Sequence, residues 1–237
     1  MQLGSMTFSG GMTLSPPPSA SPGSILFDNS STGYDEYGLF PDSADLDMST
    51  ESFTVEWWVN YTSLTGYQTP WSKGYGQNGD LAVQTGSGTG LIGVILMNQG
   101  AVGGSESGST STGTWYHYAL VRNGTTVNLY RDGTSVINGT SNADLTNAGG
   151  FAIGYAVGST GSTGPGVRGY ISCLRVVKGT AVYTGNFSKP TSPPTAISGT
   201  SLLLLSTSSG TAWTDSSGTG KTATVTGGTW SSSNPFS

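Results

Sequence analysis

The chain has 237 residues, of which only 9% are charged and 38 are glycine. This length suits one large β domain or two small ones, and an aromatic content of 10% argues against disorder, because rings can bury a sizeable core. With a net charge of −5 and eight Lys and Arg residues, the chain offers no basic surface for nucleic acid, and no apolar run approaches the ~18 residues of a membrane span.

The first 24 residues are rich in Gly, Ser and Pro. Three consecutive prolines, Pro16 to Pro18, favour a stiff polyproline II segment. The first residues lack the basic and apolar regions of a secretory signal, so we expect none there. We predict an extended arm over residues 1–24 and one β-sandwich domain over residues 25–237.

The first predicted strand is short and the second is long. One covers residues 24–27, and the next, residues 52–61, alternates cleanly between two faces. Trp57 lies on the predicted inner face, whereas Glu56 and Trp58 lie on the outer face. We therefore expect Glu56 to be a solvated sheet residue and Trp58 to be either exposed or covered by a loop.

The following strands are predicted at residues 80–85, 91–97, 115–122, 126–131 and 134–138. The last three form a meander, because Asn123-Gly124 and Asp132-Gly133 are turn dipeptides that tolerate positive φ. Further strands are predicted at residues 151–157, 168–177, 202–206 and 222–226, with one helical turn at residues 181–187. Strands that recur every ten to fifteen residues predict an all-β antiparallel sandwich.

Four motifs occur in a familiar order: FTVEWWVN, WYHYALVRNGTTVNLYRDGT, FAIGYA and GYISCLRVVKGTAVY. Their order resembles the laminin-G-like jelly roll of the concanavalin A-like lectin/glucanase superfamily. The positions that fit the family pattern are Phe53, Glu56, Trp58, Trp115, His117, Ala119, Arg122, Gly124, Tyr130, Asp132, Gly133, Ile153, Gly154, Gly169, Ile171 and Arg175. The resemblance covers about residues 24–187 and implies a two-sheet antiparallel jelly-roll sandwich. Because these are framework positions, it says little about a ligand.

The C-terminal part, from RVVKGTAVYTGNF to SSSNPF, resembles versions of this domain in virion proteins of tailed bacteriophages, especially marine and cyanobacterial phages. The resemblance implies a non-enzymatic structural protein of the virion, either a capsid decoration or a tail-fibre component, assembled in the cytoplasm of a bacterial host. The arm would then dock on other virion proteins, and a homotrimer is one arrangement that fits. The alternative is a carbohydrate-binding module that attaches to host surface polysaccharide.

A glycan hydrolase is the least favoured function. Retaining hydrolysis needs two carboxylates about 5 Å apart in one cleft, and the sequence contains only four glutamates, Glu36, Glu51, Glu56 and Glu106. Glu51 and Glu56 are five residues apart, so on one strand they would face opposite ways. We therefore predict no catalytic residues.

Calcium is the one ion that the resemblance leaves open. Asp80, in QNGDLAVQ, falls where a rim calcium ligand of laminin-G-like domains could lie, and oxygen ligands suit this hard cation. We favour instead a turn residue that bonds its own backbone at the start of a strand. Asp42 and Asp45 are interpreted as turn and capping residues, because their spacing with Asp47 fits no EF-hand. No cofactor is predicted.

A host glycan would need an aromatic platform beside amide and hydroxyl groups. The polar segment YQTPWSKGYGQNGD provides Trp71, Tyr75, Asn78 and Asp80, which we predict as the candidate ligand-binding residues. The alternative for Trp71 is that it packs into the edge of the sandwich. Trp57 and Trp115 are predicted to be core residues.

The chain contains one cysteine and one histidine. Because Cys173 has no second cysteine to pair with, neither a disulfide within the chain nor a thiolate metal site can form. Its apolar neighbours predict a buried, inert thiol. His117 has no partner in the sequence for a catalytic or metal-binding role, so we interpret it as a hydrogen-bonded scaffold residue.

Overall fold

A computed structural model describes residues 21–29, 36–98, 100–156 and 166–237. Within these ranges the regular elements are fifteen strands and one short 3-10 helix at Ser209–Thr211, joined by irregular connections. The strands are β1 (Ser24–Asp28), β2 (Tyr37–Phe40), β3 (Phe53–Tyr61), β4 (Trp71–Lys73), β5 (Leu81–Thr85), β6 (Ile92–Met97), β7 (Gly100–Ala101), β8 (Trp115–Asn123), β9 (Thr126–Arg131), β10 (Thr134–Thr140), β11 (Phe151–Ile153), β12 (Arg168–Lys178), β13 (Thr200–Leu204), β14 (Thr224–Thr226) and β15 (Thr229–Ser231).

The described strands form two antiparallel sheets. The first sheet has the order β10-β9-β8-β3-β12-β1-β15, and β13 also pairs with β12; the second has the order β14-β2-β11-β4-β5-β6-β7. The predicted all-β, two-sheet jelly-roll sandwich is therefore confirmed. Among the described residues, no helix has the length and apolar character needed to span a membrane.

Gly23 and Ser24, at the end of the predicted N-terminal arm, contact the sandwich. Ser24 is buried and begins β1, and the backbone N–H of Gly23 donates to the carbonyl of Leu205 at 3.1 Å. The last residues of the predicted arm thus belong to the edge of the sandwich. Residues 1–20, where most of the arm was predicted, lie outside the described residues.

The predicted meander of β8, β9 and β10 is confirmed, together with its turns. Gly124 has φ +59°, and Asp132 and Gly133 have φ +49° and +84°. Two-residue loops with positive φ match the twist of the flanking strands. Arg131 accordingly pairs with Thr134 across the second turn.

Strand β3 is buried on both faces, so the prediction that Glu56 is solvated was wrong. All nine residues of β3 are buried. The segment of residues 179–199 crosses the outer face of the first sheet, where the backbone N–H of Val182 donates to Thr54 Oγ1 at 2.9 Å. This segment is irregular and lacks the predicted helical turn, because Tyr183 and Phe187 instead pack flat on one another across the sheet.

A β-bulge in β12 changes the register against β3. Ser172 pairs with Trp58, but Arg175 pairs with Glu56, so β12 contains one more residue than β3 between these pairs. Cys173 lies in the bulge with φ +50° and is buried, as predicted. Burial raises the pKa of its thiol to about 12, which keeps it protonated and inert.

The core between the sheets is lined by stacked aromatic rings. Trp57 is fully buried between Tyr118, which it stacks on at 5.4 Å, and Trp71, which it meets edge-on at 5.6 Å. Trp71 in turn stacks on Phe151 at 5.5 Å. The prediction of a core position was right for Trp57 but wrong for Trp115, which is only half-buried at the start of β8.

Candidate functional site

Glu56 is the centre of a buried hydrogen-bond network on the outer face of the first sheet. Oε1 accepts from Nε of Arg175 at 2.6 Å, and Nη2 of the same guanidinium also contacts it. Oε2 accepts from Tyr183 Oη at 2.8 Å and lies 3.1 Å from Nε2 of His117. Both carboxylate oxygens are therefore occupied by partners from three different segments.

The network favours the ionised form of Glu56. Burial alone would raise the pKa of this carboxyl, but the hydrogen bond from His117, the charge of Arg175 and the hydroxyl of Tyr183 outweigh burial and hold the pKa below its ordinary value. An ionised carboxylate can only accept hydrogen bonds, so Nε2 of His117 carries the proton between them. His117 is thus a hydrogen-bonded scaffold residue, as predicted.

A second buried glutamate, Glu106, lies on the other side of this sheet. It accepts from Arg131 Nη1 at 2.8 Å and from Tyr118 Oη at 3.0 Å. His117, which contacts Glu56, and Tyr118 are consecutive in β8, so their side chains point to opposite faces. Glu56 and Glu106 therefore cannot flank one bond as a hydrolytic pair.

The four predicted ligand-binding residues do not form one exposed patch. Trp71 is completely buried in the aromatic core, so its ring is not a platform for a ligand. Asp80 is buried, and its Oδ2 accepts from the backbone N–H of Gly76 at 3.2 Å, as the turn-residue interpretation predicted. Tyr75, which is half-buried, and Asn78, which is exposed, remain accessible.

The rim beside Tyr75 holds a buried cation that belongs to the chain itself. Nζ of Lys73 pairs with Oδ1 of Asp42 at 2.8 Å and with Oδ1 of Asp47 at 3.0 Å. Asp42 is therefore an ion-pair partner rather than only a turn residue. Asp45 accepts from Ser43 within its own turn and also pairs with Lys221. Within the described residues, no three His, Cys, Asp or Glu side chains are grouped to hold a metal ion.

A cleft beside Trp213 was missed by sequence analysis. Its volume is about 260 Å³, and it is lined by Trp213, Thr214, Asp215, Gly220, Lys221 and Thr222. The indole is half-buried: it meets the ring of Phe27 edge-on at 6.0 Å and packs against the hydrophobic core. Gly38 permits this position, because a Cβ there would lie only 2.0 Å from the indole ring.

Asp215 organises the loop that forms the other wall of this Trp213 cleft. Its Oδ1 accepts from the N–H groups of Leu203 and Ser217, and its Oδ2 accepts from Ser217, Thr219 and the N–H of Lys221, at 2.8–3.1 Å. Partial burial opposes ionisation, but these hydrogen bonds outweigh it and hold the pKa of Asp215 below its ordinary value. The wall is thus held in place by hydrogen bonds within the chain, while Thr214 and Thr222 stay exposed.

The sequence contained only a weak signal for this cleft. Trp213 stands in the segment TAWTDSSGTGKT, where hydroxyl residues and glycine surround one ring and one carboxylate. This segment follows the strand motifs that carried the family resemblance, and no local periodicity reveals that Phe27 and Gly38, far earlier in the chain, support the ring.

Residues 32–181 match the Laminin_G_3 family of the concanavalin A-like lectin/glucanases superfamily. Because this match spans more than half of the chain, the protein belongs to that family. A comparison with curated proteins found no match.

Two solved structures share the fold. A proposed carbohydrate-binding protein from Bacteroides ovatus has a TM-score of 0.65 at 18% identity, over 91% of this chain and 61% of its own. A heptameric SAP-like pentraxin from Limulus polyphemus has a TM-score of 0.58 at 13% identity, over 93% of this chain and 100% of its own. At these identities the likeness establishes the fold alone. The chain spans less than two thirds of the length of the Bacteroides protein.

Proposed function

We propose that the protein is a non-enzymatic, lectin-like domain that binds one sugar residue of a glycan in the Trp213 cleft. The observation that carries this proposal is the half-buried indole of Trp213, whose inner side rests on the core while another part lines the cleft. A sugar ring presents apolar C–H groups to an aromatic face and hydroxyls to the surrounding polar groups. The Bacteroides neighbour, proposed to bind carbohydrate, is consistent with this ligand class.

The size and polarity of the cleft fit a single sugar ring. A volume of about 260 Å³ is below the ~300–1,000 Å³ of pockets for drug-sized ligands. Thr214 and Thr222 offer exposed hydroxyls that can both donate and accept hydrogen bonds. The charged groups in the walls already have partners within the protein, because Lys221 pairs with Asp45 and the carboxylate of Asp215 accepts hydrogen bonds from its own loop. We therefore expect a neutral sugar rather than a strongly charged one.

The test is a glycan array followed by calorimetric titration of the best ligand with the full chain. Replacing Trp213 with Phe, or Thr222 with Val, is expected to weaken binding about tenfold, which corresponds to ~1.4 kcal/mol. Trp230→Phe is the matched control, because Trp230 is partly exposed on β15 but does not line the cleft. The proposal fails if no glycan binds, or if both cleft variants bind like the wild-type protein.

The Tyr75–Asn78 rim is the second candidate surface for the same ligand class. It retains one accessible aromatic ring and one exposed amide from the site predicted from sequence. Tyr75→Ala tests it, whereas Trp71→Ala does not, because removing a fully buried ring would destabilise the fold. If Tyr75→Ala weakens glycan binding and Trp213→Phe does not, the glycan binds at the rim and not in the Trp213 cleft.

The setting that we propose for this domain is the virion of a tailed bacteriophage, as a capsid decoration or a tail-fibre component. Its support is the resemblance of the C-terminal sequence to phage virion proteins and the low charge of the chain. Docking through the N-terminal arm and a homotrimer remain predictions. Mass spectrometry of purified particles would measure the copy number: hundreds of copies favour a capsid location, a few dozen favour the tail, and none contradicts the setting.

A further inference from the structure

The ammonium of Lys73 lies in a cage of oxygen atoms at the rim of the sandwich. Its side chain is only 1% exposed. Five oxygens surround Nζ at 2.6–3.2 Å: one carboxylate oxygen each from Asp42 and Asp47, the carbonyl and side-chain oxygens of Asn147, and the carbonyl of Gly149. An ammonium has only three N–H groups. At least two of the five oxygens therefore face the nitrogen without a proton of their own, so charge holds them there.

These oxygen atoms are ligands of the kind that a hard divalent cation binds. Calcium binds six to eight oxygens from carboxylates, amides and backbone carbonyls, and the cage supplies all three types. Its two carboxylates exceed the single charge of Lys73 by one negative charge. As the chain stands, however, calcium does not fit, because Nζ already occupies the centre of the cage.

The cage joins three segments that are distant in sequence. Asp42 and Asp47 belong to the connection before β3, Lys73 ends β4, and Asn147 belongs to the connection before β11. The N–H of Asn147 donates to Asp47, and its side-chain amide donates to the carbonyl of Gly79 at 2.7 Å. One central cation thus fixes the rim loops relative to one another.

We infer that Lys73 is an internal cation that occupies a latent calcium site, and that removing its charge opens the cage to Ca²⁺. The rim of the wild-type protein is then independent of metal. The inference rests on the cage geometry and not on the proposed glycan binding, so each can fail without the other.

The experiment is thermal denaturation of the full chain in excess EDTA and in CaCl₂. We expect the Tm of the wild-type protein to be the same in both. Lys73→Met should have a lower Tm than the wild-type protein in EDTA, and Ca²⁺ at about 100 times its Kd should raise that Tm by roughly 5–10 °C. Lys178→Met is the matched control: Lys178 is more exposed, and its Nζ contacts Glu51 and the carbonyl of Ala44 but none of the five cage oxygens, so its variant should not respond to Ca²⁺.

A second variant keeps the test decisive if Lys73→Met does not fold. Lys73→Gln retains two N–H donors without the charge and should show the same response to Ca²⁺. Adding Asp47→Asn to either variant should weaken the apparent affinity for Ca²⁺ at least tenfold, because one of the two carboxylates is lost, and should therefore shrink the rise in Tm at the same Ca²⁺ concentration. A Ca²⁺ or EDTA effect on the wild-type Tm would overturn the inference. So would folded Lys73 variants that ignore Ca²⁺, or variants that fold in neither condition.

Discussion

Arg175 of β12 and Glu56 of β3 face one another across the first sheet, with Nε of Arg175 2.6 Å from Oε1 of Glu56. The β-bulge at Cys173 and Leu174 makes this pairing possible. Without its one extra residue, Leu174 would lie opposite Glu56 and Arg175 would point to the other face. A local irregularity of the backbone therefore places the charge pair that fastens the covering segment to the sheet.

Replacing Glu56 with Gln should destabilise the protein strongly at neutral pH. The substitution leaves Arg175 buried without its counter-charge, and breaking a buried ion pair from one side costs about 3–5 kcal/mol. Urea denaturation measures the change. Glu51→Gln is the control, because Glu51 is largely exposed and its variant should stay within ~0.5 kcal/mol of the wild-type protein.

The same variant tests the lowered pKa of Glu56. A carboxyl whose pKa is lower in the folded than in the unfolded protein stabilises the fold above its ordinary pKa of about 4.3, and this stabilisation is lost as the pH falls through the folded-state value. The difference in unfolding free energy between the wild-type protein and Glu56→Gln should therefore shrink below about pH 4.3. A constant difference across this range would contradict the network described for Glu56.

Two turn glycines of the meander should respond differently to alanine. Both glycines have positive φ, which alanine adopts only with strain. Gly124→Ala should therefore lower the free energy of unfolding by about 1 kcal/mol. At Gly133 an added Cβ would also lie 1.9 Å from the carbonyl oxygen of Phe187, whereas nothing lies within 4 Å at Gly124. Gly133→Ala should thus be the more destabilising variant in thermal denaturation. Equal effects would mean that Phe187 does not pack against this turn.

Gly38→Ala should disturb the Trp213 cleft from the inside. Its Cβ would lie 2.0 Å from the indole ring, and overpacking of this kind costs about 1–3 kcal/mol. We expect a lower Tm, altered tryptophan fluorescence and weaker glycan binding. Gly210→Ala is the control, because the nearest atom to its Cβ is 4.0 Å away. Unchanged fluorescence and stability in Gly38→Ala would contradict the described packing of Trp213.

The thiol of Cys173 should resist modification in the folded protein. With a pKa of about 12, its thiolate fraction near pH 8 is ~10³-fold below that of an ordinary cysteine, and burial blocks access as well. Reaction with a disulfide reagent should be at least ~10³-fold slower than in concentrated guanidinium. Rapid reaction of the native protein would indicate that the bulge opens.

Local patterns in the sequence predicted most of the fold. Alternation identified β3, and the Asn123-Gly124 and Asp132-Gly133 dipeptides identified the meander, because each signal depends on neighbouring residues. Burial on the outer face of β3 was not predictable in this way. It depends on residues 179–199, which form no regular element, and on Phe236, which packs edge-on against Trp58 at 5.3 Å.

The candidate sites show the same limit. Trp71 lies in a polar segment, yet its ring is buried because β4 is an interior strand of the second sheet. Nothing in the local sequence indicated the oxygen cage around Lys73, because its five oxygen contacts come from residues 26–76 positions away. Pairing between distant segments, rather than local composition, determines which polar residues form a site.

The terminal strands also determine when the sandwich can be completed during synthesis. β14 pairs with β2 in one sheet and β15 pairs with β1 in the other, so Ser24 meets Ser231 across roughly 200 residues of chain. At about 5–20 residues per second, a ribosome needs roughly 10–40 s to make that stretch. For most of this time, until β12 is made, the first strand lacks both of its neighbours, and β15 is added last. The apolar side chains of the first strand depend on chaperones or on transient contacts for protection until then.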